Sequence, residues 1–414
     1  YLTGCFYKLR AHVDVAFGGD SACLEGFGYA SGTMWIYSAV LPVIERCLGV
    51  DLSGKIHRSY VEMFWAGDHR KKEYYTFGDA RFGAPTSSSF PWLVEKYRDP
   101  ELAWFLDLLP PEPNYVSYHT MLYDPSDVPR KEPELSGAKW FKKTGTVVFR
   151  SGNEPNPFVL TFRCGPFGNH QHLDQGTFLL ADRGELLVTE QEYSDYYEDP
   201  IYQSHIIQPS GHNCLLVDHN PQSQRTGDHG DYASGMSDYA RITAFAGGDN
   251  MAFALGDLSS VYLGNVKSLR RGVLWLRPRT VLLVDLLETR RGEASLDALF
   301  HGPGLPGVKT AGENAFTITS GSATLDGRVV YPSNPVLRVN PDPVKLAKFT
   351  NDPIVPLGRV TVTAETKAGK AASAVVLSTE PLMKQNAAFD GGTYLALEKA
   401  RVLFNASGAE TEKG

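Results

Sequence analysis

Apolar residues recur at helical spacing through the first third of the sequence. Met34, Tyr37, Leu41, Ile44 and Leu48 form one stripe, and Gly49 follows where a helix closes on a left-handed glycine. The pattern predicts a helix there and a second over 54–65. A third is expected over 88–97, with Phe90, Leu93, Val94 and Tyr97 in register, and a short fourth over 100–109. Helix pairs on short loops are what a helical hairpin array requires. Residues 109–133 hold six prolines and few apolar runs, and read as a linker.

Beyond about residue 135 the period shortens to that of strands. Strands are expected at 146–150, 158–164, 177–181, 185–190, 213–217, 239–246, 251–258, 272–276, 280–287 and 295–301. The tail adds 315–319, 322–325, 336–339, 359–364, 373–378, 392–397 and 401–405. Many short strands with Gly, Pro or Asn between them suggest an antiparallel sandwich. The expected fold class is therefore α+β and multidomain, an all-α portion followed by a large antiparallel β-sandwich. A ligand would lie in the cleft between the two.

Composition narrows the class. A length of 414 residues suggests two or three domains. Hydrophobic content of 42% and charged content of 21% are those of a globular chain. A net charge of −7 argues against a nucleic-acid partner. The longest apolar runs, such as 280–287, fall far short of the ~20 residues that cross a bilayer as a helix, so no membrane insertion is expected. Five scattered cysteines with no CxxC argue against a disulfide framework and a cysteine zinc site. Residues 1–15 read like the inside of a domain, so the helical part is expected to be N-terminally incomplete, and no signal peptide can be read.

The histidines carry the chemistry. Four of eleven fall between residues 170 and 212, and the densest run is Gly168-Asn169-His170-Gln171-His172-Leu173-Asp174. In an extended segment His170, His172 and Asp174 would share one face. A second cluster follows, in which Glu190 ends one strand and His212-Asn213 opens another. Two imidazoles and a carboxylate from different strands make a natural zinc site, and His172, Glu190 and His212 are the preferred trio. Spacing alone does not select Glu190 over Asp174 or Asp182. Asn213 would orient the ligands, and His205, His219 and His229 are read as solvent-facing or hydrogen-bonding.

The run GNHQHLDQGTF, the Tyr-rich segment 192–202 and SGHNCLLVD together resemble the signature of the heparinase II/III-like polysaccharide lyases. EGFGY within 20–29 and TFGDA at 76–80 resemble motifs of that family's helical domain. The resemblance implies an (α/α) toroid followed by a β-sandwich. It implies domains at 1–133 (toroid portion with a Pro-rich end), 134–330 (sandwich with zinc site) and 331–414 (C-terminal β-sheet extension). His170 then corresponds to the catalytic histidine and Tyr29, the tyrosine of EGxxY, to the catalytic tyrosine. His172 and His212 correspond to zinc ligands, with Glu190 standing where the family usually has Asp. The zinc of the family is a structural one that holds loops.

The activity implied is β-elimination at a 4-linked uronic acid in a glycosaminoglycan or alginate type of polymer, leaving a 4,5-unsaturated end. Tyr29 would be acid, or acid and base, with His170 as its partner. The carboxylate-neutralising Asn or His of the family is expected upstream of residue 1. Cations for an acidic polysaccharide are sought in Arg163 and Arg225, and also in Lys267, Arg270 and Arg271. Tyr193, Tyr196, Tyr197 and Tyr202 would stack on sugar rings. The alternatives are a non-catalytic carbohydrate-binding relative with a structural zinc, and a zinc-dependent hydrolase, which the missing HExxH weakens. The resemblance alone implies a periplasmic or secreted bacterial protein, and a homo-oligomer is compatible with it.

Overall fold

The computed structural model describes residues 2–18, 22–80, 82–83, 90–109, 122–168, 170, 172–191, 198–225, 239–262, 264–343, 356–381, 388–389, 394–397, 400–405 and 408–412. The helical part contains α1 (Leu2–Ala16), α2 (Gly26–Leu48), α3 (Val61–Trp65), α4 (Pro91–Tyr97) and α5 (Pro100–Leu108). Two short hairpins lie among them, β1 (Phe17–Gly18) with β2 (Ala22–Cys23), and β3 (Gly67–Asp68) with β4 (Glu73–Tyr74). Helix α2 closes as its sequence predicts, with Gly49 left-handed at φ 67° and its N–H returned to the Glu45 carbonyl. The helix expected over 54–65 is broken into a 3-10 turn at Ser53–Lys55 and α3. There the Ser53 N–H donates to Asp51 Oδ1 at 2.8 Å, offering the backbone an alternative to a helix. The five helices among the described residues do not by themselves make a closed toroid, and strand residues outnumber helical ones there.

The first sheet is an antiparallel meander of β5 (Gly137–Phe141), β6 (Thr146–Arg150), β7 (Val159–Arg163), β8 (Phe178–Asp182) and β9 (Glu185–Val188). β6, β7 and β8 are buried at every position. Their alternation shows why. Val147, Phe149, Leu160, Phe162, Phe178 and Leu180 face the sandwich core. Val148, Val159, Leu179 and Ala181 join a core with helical residues such as Tyr37, Phe64 and Phe105. A sheet covered on both faces needs apolar residues on both, hence the mostly apolar VLTF and FLLA stretches of β7 and β8.

The remaining strands are β10 (Leu215–Val217), β11 (Arg241–Gly247), β12 (Met251–Asp257), β13 (Val266–Leu276), β14 (Thr280–Thr289), β15 (Ser295–Gly302), β16 (Val308–Thr310), β17 (Ala315–Ser320), β18 (Ala323–Tyr331), β19 (Val336–Pro341), β20 (Gly358–Glu365), β21 (Lys370–Ser378) and β22 to β25, which lie within 388–412. An eight-stranded sheet runs β11-β12-β13-β14-β21-β18-β17-β16, and a four-stranded one β10-β15-β20-β19. The strands between residues 336 and 378 are thus part of these two sheets. β21 pairs between β14 and β18, β19 and β20 share a sheet with β10 and β15, and β22 to β25 pair among themselves.

Candidate active site

The site forms where segments from both cores meet. Glu25-Gly26-Phe27-Gly28-Tyr29 opens α2, and Gly26 sits at φ +78°, where a Cβ would meet Thr76 Oγ1 at 3.3 Å and the Phe77 carbonyl at 3.4 Å. Only glycine fits that conformation and that approach without strain. The two helical motifs thus touch, setting Tyr29 and Asp79 beside the loop between β7 and β8.

That loop carries His170 and His172, and it is not extended. His170 has φ 59°, so it does not share a strand face with His172 and Asp174. A non-glycine residue held there stores on the order of 1–3 kcal/mol of strain. Its imidazole lies parallel to the Tyr29 ring, with centroids 3.6 Å apart and planes within 8°. Both rings are half-buried. Asp174 turns away instead, accepting from Arg163 Nε at 3.0 Å and Gln175 Nε2 at 3.2 Å.

The other histidines lie deeper. The side chain of His170 is 29% exposed, those of His172 and His212 only 1% and 0%. The rings of His172 and His212 stand 5.1 Å apart, and His212 Nδ1 is 2.9 Å from Glu190 Oε2. Thr177 donates to the same carboxylate oxygen at 3.1 Å. Burial pushes the Glu190 carboxyl up to about 7 and holds His212 well below the usual imidazole range. Asn213 does not orient the ligands directly. Its amide donates to the Phe178 and Thr189 carbonyls at 2.9 and 2.7 Å and accepts from the His301 N–H at 2.7 Å, fixing the backbone on either side of His212 and Glu190.

Among the described residues, no three His, Cys, Asp or Glu side chains are gathered into a group that could hold a metal ion as they stand. The donor chemistry nevertheless fits zinc. His172 Nδ1 and His212 Nε2 are buried without a hydrogen-bond partner, and His212 Nδ1 lies against the buried Glu190 carboxylate. Buried polar atoms left so cost about 1–3 kcal/mol each, which a bound cation would recover.

Several expected substrate contacts are corrected. Arg163 is buried, ion-paired with Asp174 and bonded to the Pro166 carbonyl at 3.1 Å, so its charge is already engaged. Arg271 is fully buried and paired with Asp285. Tyr202 is buried and donates its hydroxyl to Asp79 Oδ1 at 2.8 Å, which leaves no ring face for a sugar. Arg225 is exposed and follows Gln224, whose side chain clasps the backbone N–H and carbonyl of Gln175 at 3.0 and 2.8 Å. Tyr193, Tyr196, Tyr197 and His229 lie outside the described residues. His219 meets Asp297 at 2.8 Å, and His205 is buried against Asp342 at 3.3 Å.

The Heparinase II/III-like, C-terminal family model matches residues 133–353, a little over half of the chain. The chain belongs to the heparinase II/III-like family. Solved structures extend the likeness across the helical part. A heparan sulfate lyase, HepC, from Pedobacter heparinus superposes with a TM-score of 0.72 at 14% identity, over 98% of this chain and 61% of that one. A heparinase III gives 0.73 at 13% identity, over 98% and 62%. A further heparinase III gene product gives 0.71 at 14%, over 99% and 61%. At such identities the likeness is one of fold. The chain spans about three-fifths of the length of these heparinase-like structures.

No sequence pattern gives Asp79, Gln224, Tyr202 or Arg271 the framing contacts they make here. The TFGDA motif was the one signal that pointed at Asp79, and it named no role.

Proposed function

We propose that this protein is a polysaccharide lyase that cleaves a 4-linked uronic-acid polymer, of glycosaminoglycan or alginate type, by β-elimination. The observation that carries the reading is the stacked pair of Tyr29 and His170, half-exposed, while His172, His212 and Glu190 beneath it are buried. Two proton-transfer groups are within reach of a polymer, and the metal-type donors are not. That division is what an elimination with a structural metal requires, and a zinc hydrolase would need the reverse. The lyase and heparinase identities of the similar folds agree with this reading.

The chemistry assigns the work. The C5–H and C4–O bonds break, a C4=C5 double bond forms, one group takes the C5 proton and one protonates the departing oxygen. Tyr29 is the acid for the leaving oxygen, and His170, as neutral imidazole, takes the proton or steadies the uronate carboxyl. Arg225 is an exposed cation that would serve an acidic chain. His172, Glu190 and His212 would hold zinc, which supplies no step and fixes the loops that present His170. Export to a periplasmic or external polymer fits such a substrate, and self-association into a homo-oligomer is compatible with it.

The test is growth of the unsaturated uronate's ultraviolet absorbance on a panel of uronic-acid polysaccharides, with Tyr29→Phe and His170→Ala beside wild type. Signal on one polymer that both substitutions abolish supports the lyase and names its substrate. Silence on every polymer by a folded wild-type protein rejects it.

A further inference from the structure

One carboxylate ties together groups that the reaction needs in fixed relation. Asp79 is buried, and it reaches the loop after β7 from a segment that packs with the helices. Its Oδ1 faces His172 Nε2 at 2.9 Å and accepts from the Tyr202 hydroxyl at 2.8 Å. Its Oδ2 stands 3.5 Å from His170 Nδ1. Its backbone N–H donates to the His170 carbonyl at 2.8 Å, which holds His170 in its left-handed conformation. Tyr29 meets the opposite partner of this arrangement, the His170 ring face.

Resting on the lyase reading, we infer that Asp79 is the positioning residue of the site. It holds the His170 ring parallel to Tyr29 from the helical side while Tyr202 holds Asp79. Asp79 touches no substrate. It acts through His170, and its loss misaligns the pair without removing either member. Tyr202 thereby gains a role that a sugar-stacking tyrosine would not have, because here the hydroxyl matters and the ring face does not.

The experiment compares purified wild type, Asp79→Asn and Tyr202→Phe in steady-state kinetics on the polymer that wild type cleaves, with a crystal structure of Asp79→Asn. Asp79→Asn is expected to lower kcat about 10- to 100-fold with KM within about twofold, as loss of an outer support for a functional histidine does. Tyr202→Phe is expected to lower kcat several-fold, also with KM kept. In the variant crystal the Tyr29–His170 stack is expected to open. A kcat for Asp79→Asn within twofold of wild type overturns the inference, as does an unchanged stack. If Asp79→Asn does not fold, an unchanged kcat for Tyr202→Phe overturns it. If wild type cleaves nothing, the lyase reading falls, and the ring geometry of Asp79→Asn still decides the positioning role.

Discussion

The phenol of Tyr29 and the imidazole of His170 lie face to face at 3.6 Å, joining the first turn of α2 to the loop after β7. An aromatic stack of this kind contributes about 0.5–1.5 kcal/mol beyond simple burial. It sets a tyrosine ring beside an imidazole whose side chain is 29% exposed, with Nδ1 of that imidazole turned toward Asp79.

Tyr29→Phe keeps the ring and removes the proton. Its unfolding free energy should stay within about 0.5 kcal/mol of wild type. Its turnover should fall about 10²- to 10⁴-fold, the range for loss of a general acid or base. Denaturant melts and initial rates of ultraviolet absorbance check the two halves. Retained turnover would remove Tyr29 from the chemistry.

Arg271 on β13 and Asp285 on β14 are direct cross-strand partners in the eight-stranded sheet, bonded at 2.7 and 3.1 Å and fully buried. Arg271 also donates to the carbonyls of Gly176 and Asn213 at 2.7 and 2.6 Å, so this pair anchors both loops of the site. Asp285→Ala should cost about 3–5 kcal/mol, because it leaves a buried guanidinium uncompensated. The double change Arg271→Met, Asp285→Leu should cost less than Asp285→Ala alone. Equilibrium urea unfolding measures both, and a loss under 1 kcal/mol for Asp285→Ala would contradict the account.

Asp99 caps α5, accepting from the N–H groups of Glu101 and Leu102, and its other oxygen receives the Tyr60 hydroxyl and faces His57 Nε2 at 2.9 Å. Burial works to raise its pKa, but the hydrogen bonds from His57, Tyr60 and Leu102 outweigh it and hold the carboxyl well below its ordinary value. A depressed native value means that the stabilisation is complete above the unfolded value of about 3.9 and is lost as pH falls below it. The stability gap between wild type and Asp99→Asn should therefore narrow as pH drops from about 5 toward 2. Thermal melts across that range test it, and a gap that does not change with pH would show that the charge of Asp99 contributes nothing.

The parts of this molecule that were legible in sequence are those set by local pattern. The α2 stripe with Gly49, the strand runs, the EGFGY and TFGDA motifs and the HxH and HN pairs all lie within short windows. What was not legible depends on contacts between distant segments. Asp79 meets His172 across 93 positions, and no periodicity announces that. Arg163 ends a strand that is covered on both faces, so its charge had to be neutralised within the fold, whereas an alternating strand would have sent it to solvent. Tyr202 looked like one of four loop tyrosines, and its hydroxyl partner comes from the helical core. The positive φ of His170 goes with a backbone bond to the distant Asp79, which no local pattern shows.

Five free cysteines give a direct reading of burial in solution. Cys5 and Cys47 are exposed, while Cys23, Cys164 and Cys214 are buried. Burial pushes the Cys23 thiol up to about 12 and also raises those of Cys164 and Cys214, so none of the three offers thiolate at neutral pH. A thiol-reactive chromophore should therefore label two cysteines in the native protein and five after denaturation. Fast native labelling of Cys214, which follows His212-Asn213 by one position, would mean that the metal-type donors are open to solvent.

The zinc expectation can be settled without activity. His172 Nδ1 and His212 Nε2 are buried and unbonded, and His212 Nδ1 lies against the buried Glu190 carboxylate. Protein purified without chelator should carry about one zinc per chain, the stoichiometry of a closed structural site. His212→Ala should lose it. Chelation of wild type should lower the melting temperature, because binding energy at a structural site is folding energy. It should do so while Tyr29→Phe, whose change lies outside the buried donors, keeps its metal. Elemental analysis with thermal melts reads each of these. Metal-free wild type with a chelator-insensitive melt would mean that these buried nitrogens are satisfied by something other than zinc.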